Sequence, residues 1–302
     1  MTRLTFFGTG TSLGVPIIGC KCRVCSSPDP RDKRLRASAL MESGGMKILI
    51  DAGPDFRTQM IRSGTSHLDA ILLTHNHMDH VGGLDDVRAL NYTDRHAIEI
   101  YAEPRVVSSL ENVYAYAFAE HKYPGSPIWH IHRIDENPFV LRPTASSGQL
   151  EWVHDKGYFY RAADGTLRET GDIDAATERP GEAPGGVVVT PIRGMHSKMP
   201  VLGFRIGNIA YITDMSSIED SELEKLRNLE HLTLNTVSYG PHHSHFSLPE
   251  AIGLARRIGA RHTWLTHLSH NFPPYEEFVK ELREMTGGDS VLPAFDGLVI
   301  ED

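Results

Sequence analysis

The most informative stretch of this 302-residue sequence is Ala70-Ile-Leu-Leu-Thr-His75-Asn-His77-Met-Asp79-His80. It begins with a compact apolar run that is typical of a buried strand. Four side chains that can bind metal follow at once, so they lie in a loop at the carboxyl end of that strand. Two imidazoles two residues apart can close on one ion, whereas the following Asp-His pair points toward a neighbouring position. The motif therefore predicts two adjacent metal ions.

Two ions need more ligands than this loop supplies, and the ligands should come from other strand ends. His196 follows the predicted strand Val187–Pro191 and a turn at Arg193-Gly194. Asp214 ends a predicted β-hairpin, where a carboxylate can bridge two cations, and His267 follows a strand in the same way as the first motif. Each of these three residues is weak evidence alone, and the three are candidates for the further ligands of a dinuclear site.

The cysteines form a second motif. All three of them lie in Cys20-Lys-Cys22-Arg-Val-Cys25. An odd number of thiols so close together cannot build a disulfide framework, so we expect a reducing compartment. Cys-x-Cys-x-x-Cys is a strong signal for a structural zinc ion that needs a fourth ligand.

Strand-like runs alternate with helical ones, which is typical of an α/β fold. Helices are predicted over Leu248–Ile258, with a capping box at Ser247 and Glu250, and over Pro104–Ala119. His130 and His132 alternate along a strand and are predicted to lie on its surface. Residues 144–186 are rich in glycine, proline and charge, with a net charge of about -4, and are interpreted as an acidic lid or arm inserted into a single domain of residues 1–302.

Composition narrows the classes of function. The net charge is -9 and the isoelectric point is near 6.0, which argues against a protein that binds nucleic acid through a basic surface. No apolar run approaches the roughly 18 residues that cross a bilayer, and the first residues lack the long apolar stretch of a signal peptide. We therefore expect a cytoplasmic protein that does not bind membranes.

The order of the motifs resembles the metallo-β-lactamase superfamily, whose fold is a four-layer αββα sandwich with metal ligands at strand ends. Within that superfamily the sequence is similar to PhnP-type phosphoribosyl cyclic phosphodiesterases. That resemblance adds His270 as the fourth ligand of a structural zinc site with Cys20, Cys22 and Cys25. It also implies that the stretch from His242 to His245 holds a histidine near the scissile group.

The resemblance implies which residues bind each ion. One ion is assigned to His75, His77 and His196, the other to Asp79, His80 and His267, and Asp214 bridges them. The ions can be zinc, manganese or iron, because such ligand sets accept all three. The implied reaction is attack on phosphorus by hydroxide held between the ions, with Asp79 and His245 as catalytic residues. His245 is the expected general acid, and His242 and His243 are its rivals.

The leading interpretation is a phosphodiesterase acting on a small or cyclic phosphodiester, such as a ribose 1,2-cyclic phosphate. One alternative is an RNA endonuclease of the tRNase Z type, against which the acidic insertion argues. Another is a thioester or lactam hydrolase, and a non-enzymatic alternative is a zinc-held binding scaffold. A homodimer is a further expectation.

Overall fold

The computed structural model describes residues 1–119, 121–143, 150–153, 156–161, 165–169 and 186–302. They fall into two compact units. Unit 1 consists of Met1–Met41 and Val189–Asp302, and unit 2 consists of Glu42–Val188. The organisation of residues 1–302 as one domain with an insertion stays a prediction. No helix in the described part of the chain has the length and hydropathy needed to cross a membrane.

Seventeen strands occur in the described residues. They are β1 (Thr2–Gly8), β2 (Ser38–Ser43), β3 (Met46–Ile50), β4 (Ala70–Leu72), β5 (Ile98–Ala102), β6 (Trp129–Arg133), β7 (Phe139–Leu141), β8 (Leu150–Val153), β9 (Gly157–Arg161), β10 (Leu167–Glu169), β11 (Val187–His196), β12 (Met199–Ile206), β13 (Ile209–Tyr211), β14 (His231–Asn235), β15 (His262–Thr266), β16 (Val291–Pro293) and β17 (Val299–Glu301). The α-helices are α1 (Phe56–Ser63), α2 (Met78–Val81), α3 (Arg88–Asp94), α4 (Pro104–Val113), α5 (Ala115–Phe118), α6 (Asp220–Leu223), α7 (Leu248–Ile258) and α8 (Tyr275–Thr286).

Unit 2 is built on the parallel strands β3, β4, β5 and β6, which lie side by side in that order. Every residue of β4 and β5 is buried, as expected for parallel strands with both faces covered. Ile48 pairs with Ala70, so β3 and β4 end at the same edge of the sheet. This register brings Asp51, which follows β3, beside Thr74, which precedes the histidine motif.

The described part of the predicted insertion is a small antiparallel sheet. Its strands run in the order β10-β9-β8, with Leu167 opposite Arg161 and Phe159 opposite Glu151. The remaining residues of the insertion, 144–149, 154–155, 162–164 and 170–185, lie outside the described residues. Its role as a lid or arm stays a prediction.

Unit 1 contains a mixed sheet, in which some neighbouring strands are antiparallel and others are parallel. The strands β11, β12 and β13 are antiparallel, whereas β13, β14, β15 and β16 are parallel. The buried faces of α7 and α8 join this sheet in one apolar core that includes Leu234, Leu265 and Phe278. Strands β17, β1 and β2 lie side by side elsewhere in the unit, and Phe6 of β1 packs against Tyr211 with 6.4 Å between the ring centroids.

The prediction for α7 is confirmed to the residue. Ser247 donates a backbone hydrogen bond of 2.8 Å to Glu250, which closes the predicted capping box, and Gly259 ends the helix with a φ of 71°. The single helix predicted over Pro104–Ala119 is wrong. It is interrupted at Tyr114, which leaves the helical conformation with a ψ of 38° and donates its hydroxyl proton to the carbonyl oxygen of Val81.

The predicted turn at Arg193-Gly194 is also wrong, because β11 continues through it to His196. Gly194 pairs with Val201 of β12. A Cβ atom there would lie 2.1 Å from the sulfur of Met215, so glycine is required by close packing and not by a turn. His196 is therefore the last residue of a strand, opposite Met199.

Candidate metal centre

The histidine motif of unit 2 lies where the sequence predicts, after β4. His75 is fully buried, His77 is exposed and directly precedes the single-turn helix α2, and His80 is buried within that helix. The ring of His75 lies 4.7 Å from that of His77 and 4.2 Å from that of His80, measured between centroids. Asp79 Oδ2 lies 3.3 Å from His80 Nε2. The local fold thus brings all four predicted ligands of this unit together.

Asp51 contacts the histidine motif, although the sequence analysis does not predict it as a site residue. It is fully buried after β3, and it accepts hydrogen bonds from the backbone and hydroxyl of Thr74 at 2.9 and 2.8 Å. His80 Nδ1 donates to Asp51 Oδ2 at 2.7 Å, the same oxygen atom that accepts from the Thr74 hydroxyl. Burial raises the pKa of Asp51, and the contacts with His80 and Thr74 act in the opposite direction. The bond fixes the ring of His80 so that Nε2 is left to bind a metal.

Backbone hydrogen bonds join the loop after β3 to the histidine motif. Ala52 donates a hydrogen bond of 2.8 Å to the carbonyl oxygen of His80, and Gly83 donates one of 2.8 Å to Ala52. The two loops approach so closely that a Cβ atom at Gly53 would lie 1.9 Å from the carbonyl oxygen of Asp79. Arg105 donates a hydrogen bond of 2.8 Å to Asn76, which holds the other side of the loop.

Two aspartates and one histidine that follow strands adopt a left-handed backbone conformation. Asp51 has a φ of 61°, and Asp214 and His267 each have a φ of 58°. Residues with a side chain rarely adopt this region, and each instance costs on the order of 1 kcal/mol. Such strain is characteristic of functional sites, and here it falls on the residues that follow β3, β13 and β15.

In unit 1, the predicted residues His196, Asp214, His245 and His267 come together around one carboxylate. Asp214 Oδ1 lies 3.1 Å from His267 Nε2 and 3.8 Å from His245 Nδ1. Thr213 donates a hydrogen bond of 2.6 Å to the other oxygen, Oδ2, so the carboxylate is held in one orientation. His196 Nδ1 donates to the backbone oxygen of Asp214 at 3.0 Å, which leaves its Nε2 available to bind a metal ion.

These donor sets fit metal ions. Nitrogen and oxygen ligands that each lie about 2.1 Å from one ion are about 3.0 to 3.4 Å apart, depending on the coordination angle. The separations of 3.3 Å between Asp79 and His80 and of 3.1 Å between Asp214 and His267 fall in this range. His196, Asp214 and His245 also offer ligand atoms within 4.8 Å of one another. Imidazole and carboxylate ligands suit zinc, manganese and iron alike.

The three candidates for the general acid differ in exposure. His245 is buried, and its ring stacks on that of His267 with the centroids 4.5 Å apart. Burial lowers the pKa of His245 to about 2, and the neighbouring His267 contributes in the same direction. His242 and His243 are exposed, and the ring of His242 lies 5.1 Å from that of His245. The role of His245 as general acid stays a prediction.

The cysteine motif is brought to His270, as predicted. His270 Nδ1 lies 3.3, 3.6 and 3.5 Å from the sulfur atoms of Cys20, Cys22 and Cys25. Ligands of a tetrahedral zinc ion, with bonds of about 2.3 Å to sulfur and 2.05 Å to nitrogen, are about 3.5 Å apart. The N–H of Cys25 donates to the sulfur of Cys22 and lowers the pKa of the Cys22 thiol to about 6. The four residues fit a closed structural zinc site.

His130 and His132 are predicted to lie on the surface of a strand, and this prediction is wrong for His132. His132 is buried and stacks on Tyr101 with a centroid distance of 4.1 Å, whereas His130 is half-buried. Both contact the carboxylate of Glu99, at 3.1 Å from His130 and 2.6 Å from His132. Burial alone would raise the pKa of Glu99, but the hydrogen bonds to the two histidines lower it to about 2. This pair therefore anchors a buried carboxylate.

Comparison with known proteins agrees with the fold and the ligand motifs. The family model for the β-lactamase superfamily domain matches residues 46–153 and 158–268. The chain belongs to the metallo-β-lactamase superfamily, and the predicted α/β fold of that type is confirmed. It is similar to a solved diphosphatase of the PhnP family, with 33% identity, a TM-score of 0.77 and coverage of 100% of this chain and 98% of that one. The predicted resemblance to PhnP-type enzymes is thereby confirmed.

The chain is also similar in sequence to two curated proteins. An octanoyltransferase of Porphyromonas gingivalis is 36% identical over 93% of this chain and 48% of its own length. A ribonuclease Z of Bradyrhizobium sp. is 25% identical over 99% of this chain and all of its own. The chain spans about half or less of the length of the first curated relatives that it matches. The metal-binding motifs of this chain agree with its membership of the superfamily.

Proposed function

We propose that the chain is a dinuclear metal-dependent phosphodiesterase that hydrolyses a small or cyclic phosphodiester. The observation that carries this proposal is the environment of Asp214. One of its oxygen atoms is held by Thr213 and the other faces the imidazole of His267. A carboxylate among imidazoles, with no thiol, is a hard donor set that suits ions acting on phosphoryl oxygens.

The proposed division of ligands is the one that the resemblance to the family implies. His75, His77 and His196 are assigned to one ion, and Asp79, His80 and His267 to the other, with Asp214 shared. When bound, two such ions supply a water molecule of near-neutral pKa and stabilise negative charge on the phosphoryl oxygens. A structural zinc ion is assigned to Cys20, Cys22, Cys25 and His270.

The residues of the chain keep these donors in place. Asp51 holds His80 through Nδ1, and the backbone oxygen of Asp214 holds His196 through Nδ1, so both rings offer Nε2. Thr213 prevents the Asp214 carboxylate from rotating. His245 is proposed to give its proton to the leaving oxygen, which requires a phosphoryl anion near its ring to raise its pKa.

A diphosphate substrate is a second candidate, because the solved PhnP-family relative is called a diphosphatase. Phosphodiesters and diphosphates share the reacting centre, a phosphorus atom bearing a charged oxygen and a leaving oxygen. The octanoyltransferase name belongs to a protein of which about half lies outside the match, so it does not assign acyl transfer to this chain. Ribonuclease activity is disfavoured by the net charge of -9, which opposes binding of a phosphate backbone.

The test is turnover of bis(p-nitrophenyl) phosphate by the metal-loaded protein, beside a chromogenic lactam, a thioester and a diphosphate ester. Asp214→Ala and Asp79→Ala serve as inactive controls, and Asp220→Asn, at an exposed carboxylate, serves as the matched active control. We expect turnover of the diester that both inactive controls lose. Turnover of the diphosphate alone would favour the second candidate, and turnover of the lactam or thioester alone would refute the proposal.

A further inference from the structure

Unit 2 contains a second cluster of potential ligands outside the histidine motif. It consists of His67 in the loop before β4, Asp94 at the end of α3 and His96 just before β5. Each offers one ligand atom, and these atoms lie within 4.8 Å of one another. The side chains of His67 and Asp94 are 37% and 31% exposed, and that of His96 is 9% exposed, so the cluster opens to solvent on one side.

The Nε2 atom of each imidazole faces a hydrogen-bond acceptor. His67 Nε2 lies 3.2 Å from Asp69 Oδ1, and His96 Nε2 lies 3.2 Å from the backbone oxygen of Leu68. A carboxylate and a carbonyl can only accept hydrogen bonds, so both Nε2 atoms carry protons. In the neutral form of each ring, the lone pair is then on Nδ1.

Both Nδ1 atoms face the same carboxylate oxygen. His67 Nδ1 contacts Asp94 Oδ2, and His96 Nδ1 lies 3.2 Å from that atom. Three acceptors therefore converge, which is unfavourable unless positive charge lies between them. Two protons could also supply this charge, but the rings that share them have their centroids only 5.2 Å apart. One divalent ion bound to all three atoms replaces both protons.

The surrounding chain holds these ligands in position. Asp69 is buried, and its second oxygen accepts a hydrogen bond of 2.8 Å from the backbone of Lys47 in β3, so it orients His67 as carboxylates orient metal-bound histidines. Arg95 adopts a left-handed conformation with a φ of 54°, which turns the chain so that Asp94 and His96 face one point.

We propose that His67, Asp94 and His96 bind a divalent transition-metal ion, with Zn²⁺ as the first choice, through two Nδ1 atoms and one carboxylate oxygen. Water completes the coordination on the exposed side. Two imidazoles and a carboxylate with an open position form a ligand set that binds zinc in many proteins. The ion joins the residues before β4 to the end of α3, and this site is distinct from the cysteine site and from the histidine motif.

The test compares zinc content between the unmodified chain and His67→Gln. Both proteins are stripped with a chelator and dialysed to equilibrium against buffered zinc, and bound zinc is then counted by mass spectrometry. We expect the variant to hold one zinc equivalent per chain fewer. His121→Gln, which replaces an exposed histidine outside the cluster, should keep the full complement. Turnover of bis(p-nitrophenyl) phosphate by His67→Gln should match that of the unmodified chain, which assigns the lost ion to the new site.

A second measurement locates the ion directly. Crystals of the zinc-loaded protein should show an anomalous peak at the zinc edge between the two Nδ1 atoms and the Asp94 carboxylate. Asp94→Asn should lose this peak and retain those at the other sites. Equal zinc content in the unmodified chain and His67→Gln, or no anomalous peak at this position, would mean that the cluster is held by protons alone and would overturn the proposal.

Discussion

His80 Nδ1 donates a hydrogen bond of 2.7 Å to Asp51 Oδ2, and both side chains are fully buried. This contact joins the residue after β3 to the histidine motif after β4. It uses the nitrogen atom of His80 that does not face Asp79, and so it selects the tautomer that can bind metal. We therefore expect Asp51 to act on the proposed metal site through His80, although it is not one of the predicted ligands.

Asp51→Asn tests this positioning role. Asparagine keeps the shape of the side chain but loses the charge that strengthens the bond to His80. We expect metal affinity at the motif to fall by about 10- to 100-fold. Competition with a chromophoric chelator measures the change, and Asp220→Asn, at an exposed carboxylate, provides the control. An unchanged affinity would show that His80 does not depend on Asp51.

Gly53→Ala tests the close approach of the two loops in unit 2. Its Cβ atom would lie 1.9 Å from the carbonyl oxygen of Asp79, so the backbone of one loop must move. We expect a loss of at least about 2 kcal/mol in the free energy of unfolding. Gly253→Ala is the matched control, because apart from the helix's own backbone and the adjacent residues no heavy atom lies within 4 Å of the added Cβ. The control should gain about 0.5 to 1 kcal/mol. Chemical denaturation compares the two, and equal effects would contradict the packing argument.

Cys25→Ser tests the structural zinc site. Serine is a poor zinc ligand, so the variant should lose one zinc equivalent and at least about 2 kcal/mol of stability. Lys21→Ala changes an exposed residue of the same loop and should retain both. Zinc content and thermal unfolding are measured on the same samples. A variant with full zinc content would mean that the three cysteines and His270 are not the ligands.

Glu99→Gln tests the buried carboxylate between His130 and His132. The pKa of Glu99 falls from its ordinary value of 4.5 to about 2, so its charged form stabilises the native state. This contribution is fully present above about pH 4.5 and is lost as the pH falls toward 2. We expect the variant to be less stable by about 1 to 3 kcal/mol at pH 7, with a smaller difference at pH 3. Denaturant titrations at both pH values measure it, with the exposed Glu111→Gln as control. A difference that did not shrink in acid would refute the assignment.

The histidine motif and α7 could be predicted from sequence because each is defined by residues close together in the chain. The run Ala70–Leu72 and the four ligands after it form a local pattern, as do the apolar stripe and capping box of α7. The placement of His270 required resemblance to a family, because it lies about 250 residues from the cysteines.

Asp51 could not be recognised in this way. Its importance depends on β3 lying beside β4, which no local pattern reveals. The available signal was weak: like Asp214, it is an aspartate that follows an apolar strand. The turn wrongly expected at Gly194 has a related cause, since Met215 sets the need for glycine there from another strand end.

His245→Gln tests whether the buried histidine beside Asp214 is the general acid. Removing a proton donor slows the reaction most when the leaving oxygen is strongly basic, because a good leaving group departs without a proton. We therefore expect turnover of an alkyl phosphodiester to fall about 10- to 100-fold more than that of bis(p-nitrophenyl) phosphate. His243→Gln, at an exposed rival position, should show no such dependence. Steady-state kinetics with both substrates, together with metal content, distinguish the cases. Equal losses on the two substrates with metal retained would exclude proton donation by His245, and loss of metal would make His245 a ligand.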